Sequence, residues 1–579
     1  MRVMSWPAIA GGLLSGGIGL ALATDSIGER YAPVLVSDPA AAAQDLGYGL
    51  AVDARGNFVA AWTEQGERNG GTWFDVLIRR VSFDGTPLAA AAPIDDATGV
   101  QRLYPAIASD AEGNFVVAWG EAASADLQNL TIHARRFAAD GSPLGAATLI
   151  STVDTQADGG PQIAANAAGD HVIAWFRKGT PTVAVARVFS ATGAAVGPEF
   201  ALPVLDGTNP RLDGIALSDD RRVIVAAALG VQSGGDDLRL QCFSDQGSPV
   251  AGAMTVIAAS PDVIPDGNHG ALAATPDGRI FVSWPQTRVD NMQGKVFSEL
   301  QLQAVAADCM TPGWHATPLS LPGSEGSVSA AALVTRRDGG ELMLGWAFEG
   351  AQAAAFARHY GSDGSVLSDA IPVVGNMTSV SAPQLAMRRH GFSAVWSQAS
   401  TASLATYTDV YARGFFTASA PDPYLSAPTI DFGNQSVGVA SMAQAVSVTN
   451  DGNTPLVIAS VTASGDFAVS ANGCSTAVAP QASCTIAVIF TPGAAGARAG
   501  DLEIVSNADD SPASVTLTGT GVAGGTGGGT TGGDTTGGGT GGDSGDGNEG
   551  ENGGAMPWPL LAGLLAAAAL RRRRGASRL

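Results

Sequence analysis

The sequence predicts an all-β protein in which a seven-bladed β-propeller is followed by a small β-sandwich, a glycine-rich stalk and a C-terminal hydrophobic helix. Three observations predict this order. A unit of roughly 55 residues recurs seven times in the N-terminal part of the chain. A different pattern of alternating strands follows. The chain then turns to glycine and threonine, and it ends in an apolar segment and an arginine cluster.

The repeated unit has a constant internal order. A short apolar strand leads through a polar turn to an alternating strand that ends on tryptophan. A third strand then closes with an Asp-Gly or related turn, and a short fourth strand follows. The fourth copy has Ala227 in place of the tryptophan. We expect the tryptophans to pack between neighbouring units, because their spacing follows the repeat. They are Trp62, Trp119, Trp175, Trp284, Trp346 and Trp396.

Four short strands match one blade of a β-propeller, and seven units lie within the usual range of blade numbers. The propeller is predicted over residues 32–416. Its seventh unit lacks a clear fourth strand after Asp409–Phe416, whereas Ala32–Asp38 forms an apolar strand ahead of the first unit. We expect this N-terminal strand (32–38) to complete the last blade, because a closed ring leaves no free sheet edge.

Residues 427–522, after a linker at Thr417–Ser426, show the alternating strands of a β-sandwich. Its distinctive motifs are Asp431-Phe432-Gly433, Thr449-Asn450-Asp451-Gly452, Phe490-Thr491-Pro492 and Leu517-Thr518-Gly519-Thr520-Gly521. With these motifs the segment resembles the immunoglobulin-like domain of the ASPM/SPD/Hydin group, found in bacterial choice-of-anchor D proteins. The resemblance implies an immunoglobulin-like fold.

The first 23 residues have the layout of a secretion signal. Arg2 supplies a positive start, Trp6–Leu22 an apolar run, and Ala21-Leu22-Ala23 a small-residue cleavage site. The sequence predicts export with cleavage after Ala23. A membrane anchor is the alternative, although the glycines in this segment weaken a helix.

The C-terminal tail begins with residues 523–554, a Gly/Thr-rich linker that contains too few apolar residues to form a core. Residues 555–574 then form an apolar segment with an arginine cluster. A glycine pair, an apolar span and a basic cluster in this order resemble the GlyGly-CTERM sorting signal. The resemblance implies a rhomboid-type sorting protease that removes the tail; a permanent membrane anchor is the alternative. The residues concerned are Gly553, Gly554, Arg571, Arg572, Arg573 and Arg574.

Four cysteines fit an exported protein with one or two disulfide bonds. Cys474 and Cys484 lie within one β domain and form a good pair. Cys242 and Cys309 occupy comparable places in adjacent repeats, so they either pair across blades or remain buried thiols.

Composition and motifs restrict the chemistry. A formal net charge of −22 argues against nucleic acid as a partner. The chain shows no HExxH, GxSxG or Walker pattern, and its tryptophans do not fit the spacing of a sialidase Asp-box. The sequence therefore predicts no catalytic, cofactor-binding or metal-binding residues. Turn carboxylates such as Asp110, Asp140 and Asp363 are expected to form turns rather than to hold calcium.

The function that best fits these features is an exported, surface-displayed binding or structural protein. Its ligand, a protein or a glycan, would contact one mouth of the ring, where loops vary between blades. The variable segments are Glu64–Trp73, Glu121–Asn129 and Arg288–Lys295. The alternative is a propeller hydrolase or lyase acting on extracellular polysaccharide, which requires Asp, Glu, Arg and Tyr side chains to converge at one end of the channel.

Overall fold

The computed structural model describes residues 29–523, with internal gaps. The predicted signal peptide with its cleavage site at Ala23, the stalk and the sorting tail lie outside the described residues. The gaps fall at 38–43, 54–55, 69–70, 83–84, 97–98, 124–126, 128, 152–159, 180–181, 204–207, 231–235, 258–262, 266–269, 291–294, 317–318, 321–326, 337, 350–352, 378, 382, 389, 400–407 and 418.

Within these residues, the N-terminal part of the chain forms seven antiparallel sheets that resemble propeller blades. The chain enters at β1 (Glu29–Leu35). Blades 1 to 3 follow, each with four strands. Blade 1 consists of β2 (Gln44–Val52), β3 (Phe58–Arg68), β4 (Gly71–Val81) and β5 (Ala92–Pro93). Blade 2 consists of β6 (Gln101–Ser109), β7 (Phe115–Ala122), β8 (Thr131–Phe137) and β9 (Thr148–Leu149). Blade 3 consists of β10 (Gln162–Ala165), β11 (His171–Arg177), β12 (Val183–Phe189) and β13 (Phe200–Ala201).

Blades 4 to 7 repeat this design, except that the first and fourth positions of blade 5 each hold two short strands. Blade 4 consists of β14 (Thr208–Leu217), β15 (Val223–Gly230), β16 (Asp236–Phe243) and β17 (Met254–Ile257). Blade 5 consists of β18 (Val263–Pro265), β19 (Ala271–Ala274), β20 (Ile280–Asp290), β21 (Lys295–Val305), β22 (Pro312–His315) and β23 (Leu319–Ser320). Blade 6 consists of β24 (Ser327–Thr335), β25 (Glu341–Glu349), β26 (Ala353–Gly361) and β27 (Ile371–Met377). Blade 7 contains β28 (Gln384–Arg388), β29 (Gly391–Ala399) and β30 (Thr408–Phe416).

The seven blades form a closed ring. The first strand of each blade contacts the first strand of the next, and the first strands of blades 7 and 1 also contact each other. The fourth strand of blade 7 is β1, which pairs antiparallel with β30. This strand begins at Glu29, three residues before the expected Ala32, and ends at Leu35. It starts earlier because Glu29 and Tyr31 already pair with blade 7.

The repeat tryptophans lie on the second strands and are buried between blades. Trp175 of blade 3 belongs to a buried cluster with Ala118 and Ile132 of blade 2. In the same way, each of the other five tryptophans shares a buried cluster with the preceding blade. Ala227 occupies the equivalent register position, opposite Arg239 on the third strand. The spacing of the tryptophans is therefore the spacing of the interfaces between blades.

A second repeated contact comes from an arginine on the third strand. The guanidinium of Arg135 donates to the carbonyl of Gly145 in its own blade and to that of Ile94 in the preceding blade, each at 2.9 Å. It also stacks over Phe137. One side chain thus ties two neighbouring blades together. The same position holds Arg79, Arg187, Arg358 and Arg413.

The C-terminal domain is a β-sandwich of two four-stranded sheets. It begins at Pro423 rather than at residue 427, because residues 423–425 of the expected linker pair with Val448–Asn450 at the edge of one sheet. The aromatic core includes Phe467 stacked on Phe490, with ring centroids 4.7 Å apart. In chain order its strands are β31 (Pro423–Leu425), β32 (Thr429–Ser436), β33 (Gln444–Asn450), β34 (Ile458–Ala463), β35 (Phe467–Asn472), β36 (Ser483–Phe490), β37 (Gly496–Ser506) and β38 (Ala513–Val522).

Both cysteine pairs form disulfide bonds. Cys474 is joined to Cys484 inside the sandwich, and Cys242 of blade 4 is joined to Cys309 of blade 5. The bond between blades decides between the two alternatives left open for Cys242 and Cys309. Two disulfides indicate a protein that folds outside the cytoplasm. Among the described residues, no helix is both long and apolar enough to span a bilayer.

An arginine of blade 7 joins the propeller to the sandwich, and a second arginine lies beside it. Arg388 donates to the carbonyl of Asp451 at 3.3 Å and forms an ion pair with Asp422 at 3.6 Å. The guanidinium carbons of Arg388 and Arg30 lie 5.8 and 5.3 Å from the ring centroid of Phe416. Burial lowers the pKa of both arginines, and the charge of Arg388 lowers the pKa of Arg30 further. The two domains therefore meet at a desolvated, charge-paired contact.

Candidate functional site

The channel through the ring has two ends. At the turn end, each first strand leads through a turn to the second strand. At the loop end lie the starts of the first strands and the loops that connect second strands to third strands. A cavity of about 240 Å³ occupies the turn end, where all seven blades contribute lining residues. Most of the lining is aliphatic, for example Leu50, Leu217, Val334 and Leu385.

The polar groups at the turn end are used between blades. The hydroxyl of Ser109 donates to the carbonyl of Val52 at 2.8 Å, and the hydroxyl of Thr335 donates to that of Ala274 at 2.9 Å. Asp219 accepts a hydrogen bond from the backbone of Ala167 at 3.3 Å. These hydrogen bonds join neighbouring blades, so the polar groups of the turn end stabilise the ring.

The carboxylates of the repeated turns serve the turns themselves. Asp110 accepts hydrogen bonds from the backbone and the side chain of Asn114, both at 2.8 Å. Hydrogen bonds from Ser142 and Ser365 lower the pKa of Asp140 and Asp363, respectively. In the described part of the chain, no three His, Cys, Asp or Glu side chains are grouped as a metal site would require.

A buried ion cluster lies at the loop end, between blades 1 and 2. Arg102, which is 1% exposed, pairs with Asp75 at 2.8 Å and with Glu121 at 3.4 Å. Glu121 also accepts a hydrogen bond from the indole of Trp119 at 3.3 Å. Both carboxylates therefore share one cationic partner. Buried charges are tolerated inside a protein when they are paired in this way.

His133 extends this cluster toward the outside of blade 2. Its Nε2 lies 3.8 Å from Glu121 and 3.2 Å from the hydroxyl of Thr131, and its ring stacks on Trp119. Burial lowers the pKa of His133, the charge of Glu121 raises it, and Arg102 lowers it again. The lowered pKa favours the neutral imidazole of His133, which lies beside the Glu121 carboxylate that is already paired with Arg102.

Tyr104 stands two residues after Arg102 on the same strand and is 48% exposed. Its backbone has a φ of +55°, a conformation that residues other than glycine rarely adopt. Its N–H donates to the hydroxyl of Thr63 at 3.0 Å. Arg102, Asp75 and Glu121 therefore meet near one end of the channel, and Tyr104 lies two residues further along the strand of Arg102. Sequence reasoning missed them, because no motif marks residues that only the ring brings together.

The three variable segments predicted for the mouth begin where second strands reach the loop end, and their residues 69–70, 124–126, 128 and 291–294 lie outside the described residues. Glu64–Trp73 and Arg288–Lys295 include the ends of paired strands of 11 residues each. The second strands of these pairs run about 10 Å beyond the eight-residue second strand of blade 2. Glu121–Asn129 starts in the ion cluster, and Asn129 accepts a hydrogen bond from Lys178 at 3.3 Å.

Strand order and pairing define the described chain as a propeller-like ring of seven blades with a C-terminal β-sandwich. The family model of a protein of unknown function, DUF1573, matches residues 425–521, which form the sandwich. No curated protein matches the chain.

Solved structures with similar folds include three that together cover both domains. A protein of unknown function from Dyadobacter fermentans DSM 18053 is 10% identical, with a TM-score of 0.40, over 68% of this chain and 100% of that chain. The β-propeller domain of the Trilobed protease from Pyrococcus furiosus is 8% identical, with a TM-score of 0.37, over 65% and 95%. The ASH/PapD-like domain 7 of human CEP192 is 14% identical, with a TM-score of 0.15, over 18% and 88%.

Proposed function

We propose that this chain is an exported, cell-surface-displayed binding protein whose propeller is the binding head. The loop end of the channel carries this proposal. It combines an exposed aromatic side chain with charges that are already paired, and long hairpins of blades 1 and 5 extend beyond it. The turn end, in contrast, uses its polar groups to hold the ring together. Such a head offers a ligand contact area, and the acidic and basic groups of its ion cluster are already paired with each other.

The tail completes the proposal. The two disulfides support folding in an oxidising compartment. The predicted signal peptide, the Gly/Thr-rich stalk and the GlyGly-CTERM-like tail would deliver the head to the surface, where a rhomboid-type protease removes the tail or the tail stays as an anchor. We further propose that the sandwich belongs with the choice-of-anchor D domains that its motifs resemble.

Surface display is tested on intact cells with a membrane-impermeant biotin reagent. The propeller is expected to be labelled without cell lysis, because a head displayed on the cell surface is open to the reagent. A label that appears only after lysis contradicts the proposal. Mass spectrometry of the exported protein then decides the fate of the tail, since an intact Arg571–Leu579 peptide contradicts processing.

A polysaccharide hydrolase or lyase remains the second candidate, because Asp75, Glu121 and Arg102 come together near the loop end and Tyr104 lies two residues beyond Arg102 on its strand. The pairing of both carboxylates with Arg102 favours binding instead. The full chain is incubated with insoluble surface polysaccharide, and retained protein and new reducing ends are both measured. Retention without reducing ends supports binding. Reducing ends that accumulate with time and disappear in a Glu121→Gln variant establish the enzyme.

A further inference from the structure

We propose that Tyr104 is the stacking residue of a binding site for a neutral saccharide ring at the loop end of the channel. The proposal rests on the binding function proposed above and names the ligand class. It is carried by the backbone of Tyr104, by the position of this residue in the repeat, and by the charge of its surroundings.

The backbone conformation of Tyr104 is unusual for its place. Four described residues other than glycine have a positive φ: Tyr104, Arg221, Cys309 and Gln481. The last three lie in tight turns, where one left-handed residue is expected. Tyr104 lies inside strand β6. Strain of this kind persists where the surrounding structure enforces it, and it is concentrated at functional sites.

A β-bulge produces this conformation. Leu103 pairs with Gly120 and Ala106 pairs with Ala118, so Tyr104 and Pro105 together face Trp119. Register shifts occur at the corresponding place in the first strands of three other blades. Bulges re-aim side chains and recur beside binding sites. The two residues that face the tryptophan position are Gly47 and Tyr48 in blade 1, Leu212 and Asp213 in blade 4, and Ala330 and Ala331 in blade 6, so among these bulges blade 2 alone has an aromatic residue at the first of the two places.

The neighbours of Tyr104 hold it in place and leave room for it. The hydroxyl of Thr63 accepts its N–H, and the buried pair of Arg102 and Asp75 fixes the strand two residues earlier. A Cβ atom on Gly160 would lie 2.4 Å from the Cβ of Tyr104, so only glycine fits there. Along the strand, Tyr104 is about 16 Å from Ser109, which lines the turn end.

The chemistry of the site favours an uncharged ring. Tyr104 is the one aromatic among the exposed large apolar side chains of the described residues. A tyrosine offers a rigid face and a polar hydroxyl at low entropic cost. The nearby carboxylates of Asp75 and Glu121 share the single positive charge of Arg102, and this excess of negative charge, like the net charge of −22, repels anionic polymers. A peptide would need a row of pockets or a free sheet edge, whereas one exposed ring suits one sugar residue.

The test is isothermal titration of the full chain with cellopentaose, laminaripentaose, maltopentaose and chitopentaose, and with polygalacturonate and a decaproline peptide for contrast. At least one neutral pentasaccharide is expected to bind. Tyr104→Ala should weaken that affinity at least tenfold, whereas Tyr104→Phe should stay within threefold. Leu144→Ala is the matched control, because Leu144 is 47% exposed and lies on an outer turn.

A second readout separates binding from packing. Asparagine tolerates the left-handed conformation, so Tyr104→Asn should keep or raise the melting temperature while it abolishes saccharide binding. A melting temperature several degrees lower assigns the ring to packing and overturns the proposal. So does the absence of pentasaccharide binding, binding that survives Tyr104→Ala, or decaproline binding that depends on Tyr104. Retention on surface polysaccharide that survives Tyr104→Ala leaves the binding function intact, whereas reducing-end release refutes it.

Discussion

Cys242 is bonded to Cys309 at a place where other blades use an arginine. In blades 1 and 2 the equivalent residues are Arg80 and Arg136, each of which donates to a backbone carbonyl in the turn of the next blade at 2.6 Å. Cys309 takes the position of the turn glycine and keeps its left-handed backbone, with a φ of +62°. A covalent bond between blades 4 and 5 thus replaces a hydrogen bond found elsewhere in the ring.

Removal of this disulfide should destabilise the ring more than removal of the other disulfide destabilises the sandwich. The bond from Cys242 to Cys309 closes a loop with a sequence separation of 67 residues, against 10 for Cys474 and Cys484. Loop entropy then predicts losses of about 4 and about 3 kcal/mol for the paired Cys→Ser variants. Urea denaturation measures both. An unchanged propeller transition under reducing conditions contradicts the first value.

Replacement of one repeat tryptophan should open the interface between two blades. Trp175→Ala leaves a cavity between blades 2 and 3 and should lower the free energy of unfolding by about 3–5 kcal/mol. Trp175→Phe keeps part of the packing and should cost less. The matched control is Trp73→Ala in the half-buried tip of the blade 1 hairpin. Equal losses for the variants of Trp175 and Trp73 on thermal denaturation refute a packing role.

Arg388→Ala should loosen the joint between propeller and sandwich. It leaves Asp422 and the carbonyl of Asp451 without this buried cation, and breaking a buried ion pair costs about 3–5 kcal/mol. We expect faster proteolytic cleavage within residues 417–426 and separate unfolding transitions for the two domains. Arg279→Ala, which removes an exposed partner of Asp277, should change stability by less than about 1 kcal/mol. Unchanged cleavage in the Arg388 variant counts against the joint.

Stability should fall when the pH drops below about 6.5, partly through His171. Burial lowers the pKa of this ring, which stacks on Phe189 and bonds to the carbonyl of Gly169. The unfolded chain therefore binds a proton that the folded chain resists, and stability is lost as the pH falls through the unfolded value. His171→Gln should show a smaller drop in melting temperature between pH 7 and pH 5. An equal drop in the His171→Gln variant contradicts this contribution of His171.

The propeller fold could be predicted from the sequence because every blade is built from the same local sequence pattern. Alternation with a period of two, turn glycines and one tryptophan per unit all act within a few tens of residues, so each strand could be read from its own segment. The same pattern identifies the degenerate fourth unit, which has Ala227 in place of the tryptophan but keeps the turn and the strands of the other units.

The tertiary structure decided what depends on the ring as a whole. Arg102 meets Asp75 and Glu121 only because neighbouring blades pack face to face, and Arg388 meets Asp422 only because the chain beyond blade 7 packs back against that blade. No local pattern marks such pairs, since their partners come from different units. The sequence by itself determined the repeat, the order of the domains and the sandwich disulfide partners. The packing of neighbouring blades determined the bond between Cys242 and Cys309 and the hydrogen bond from Tyr104 to Thr63, because long-range packing and not local propensity sets these contacts.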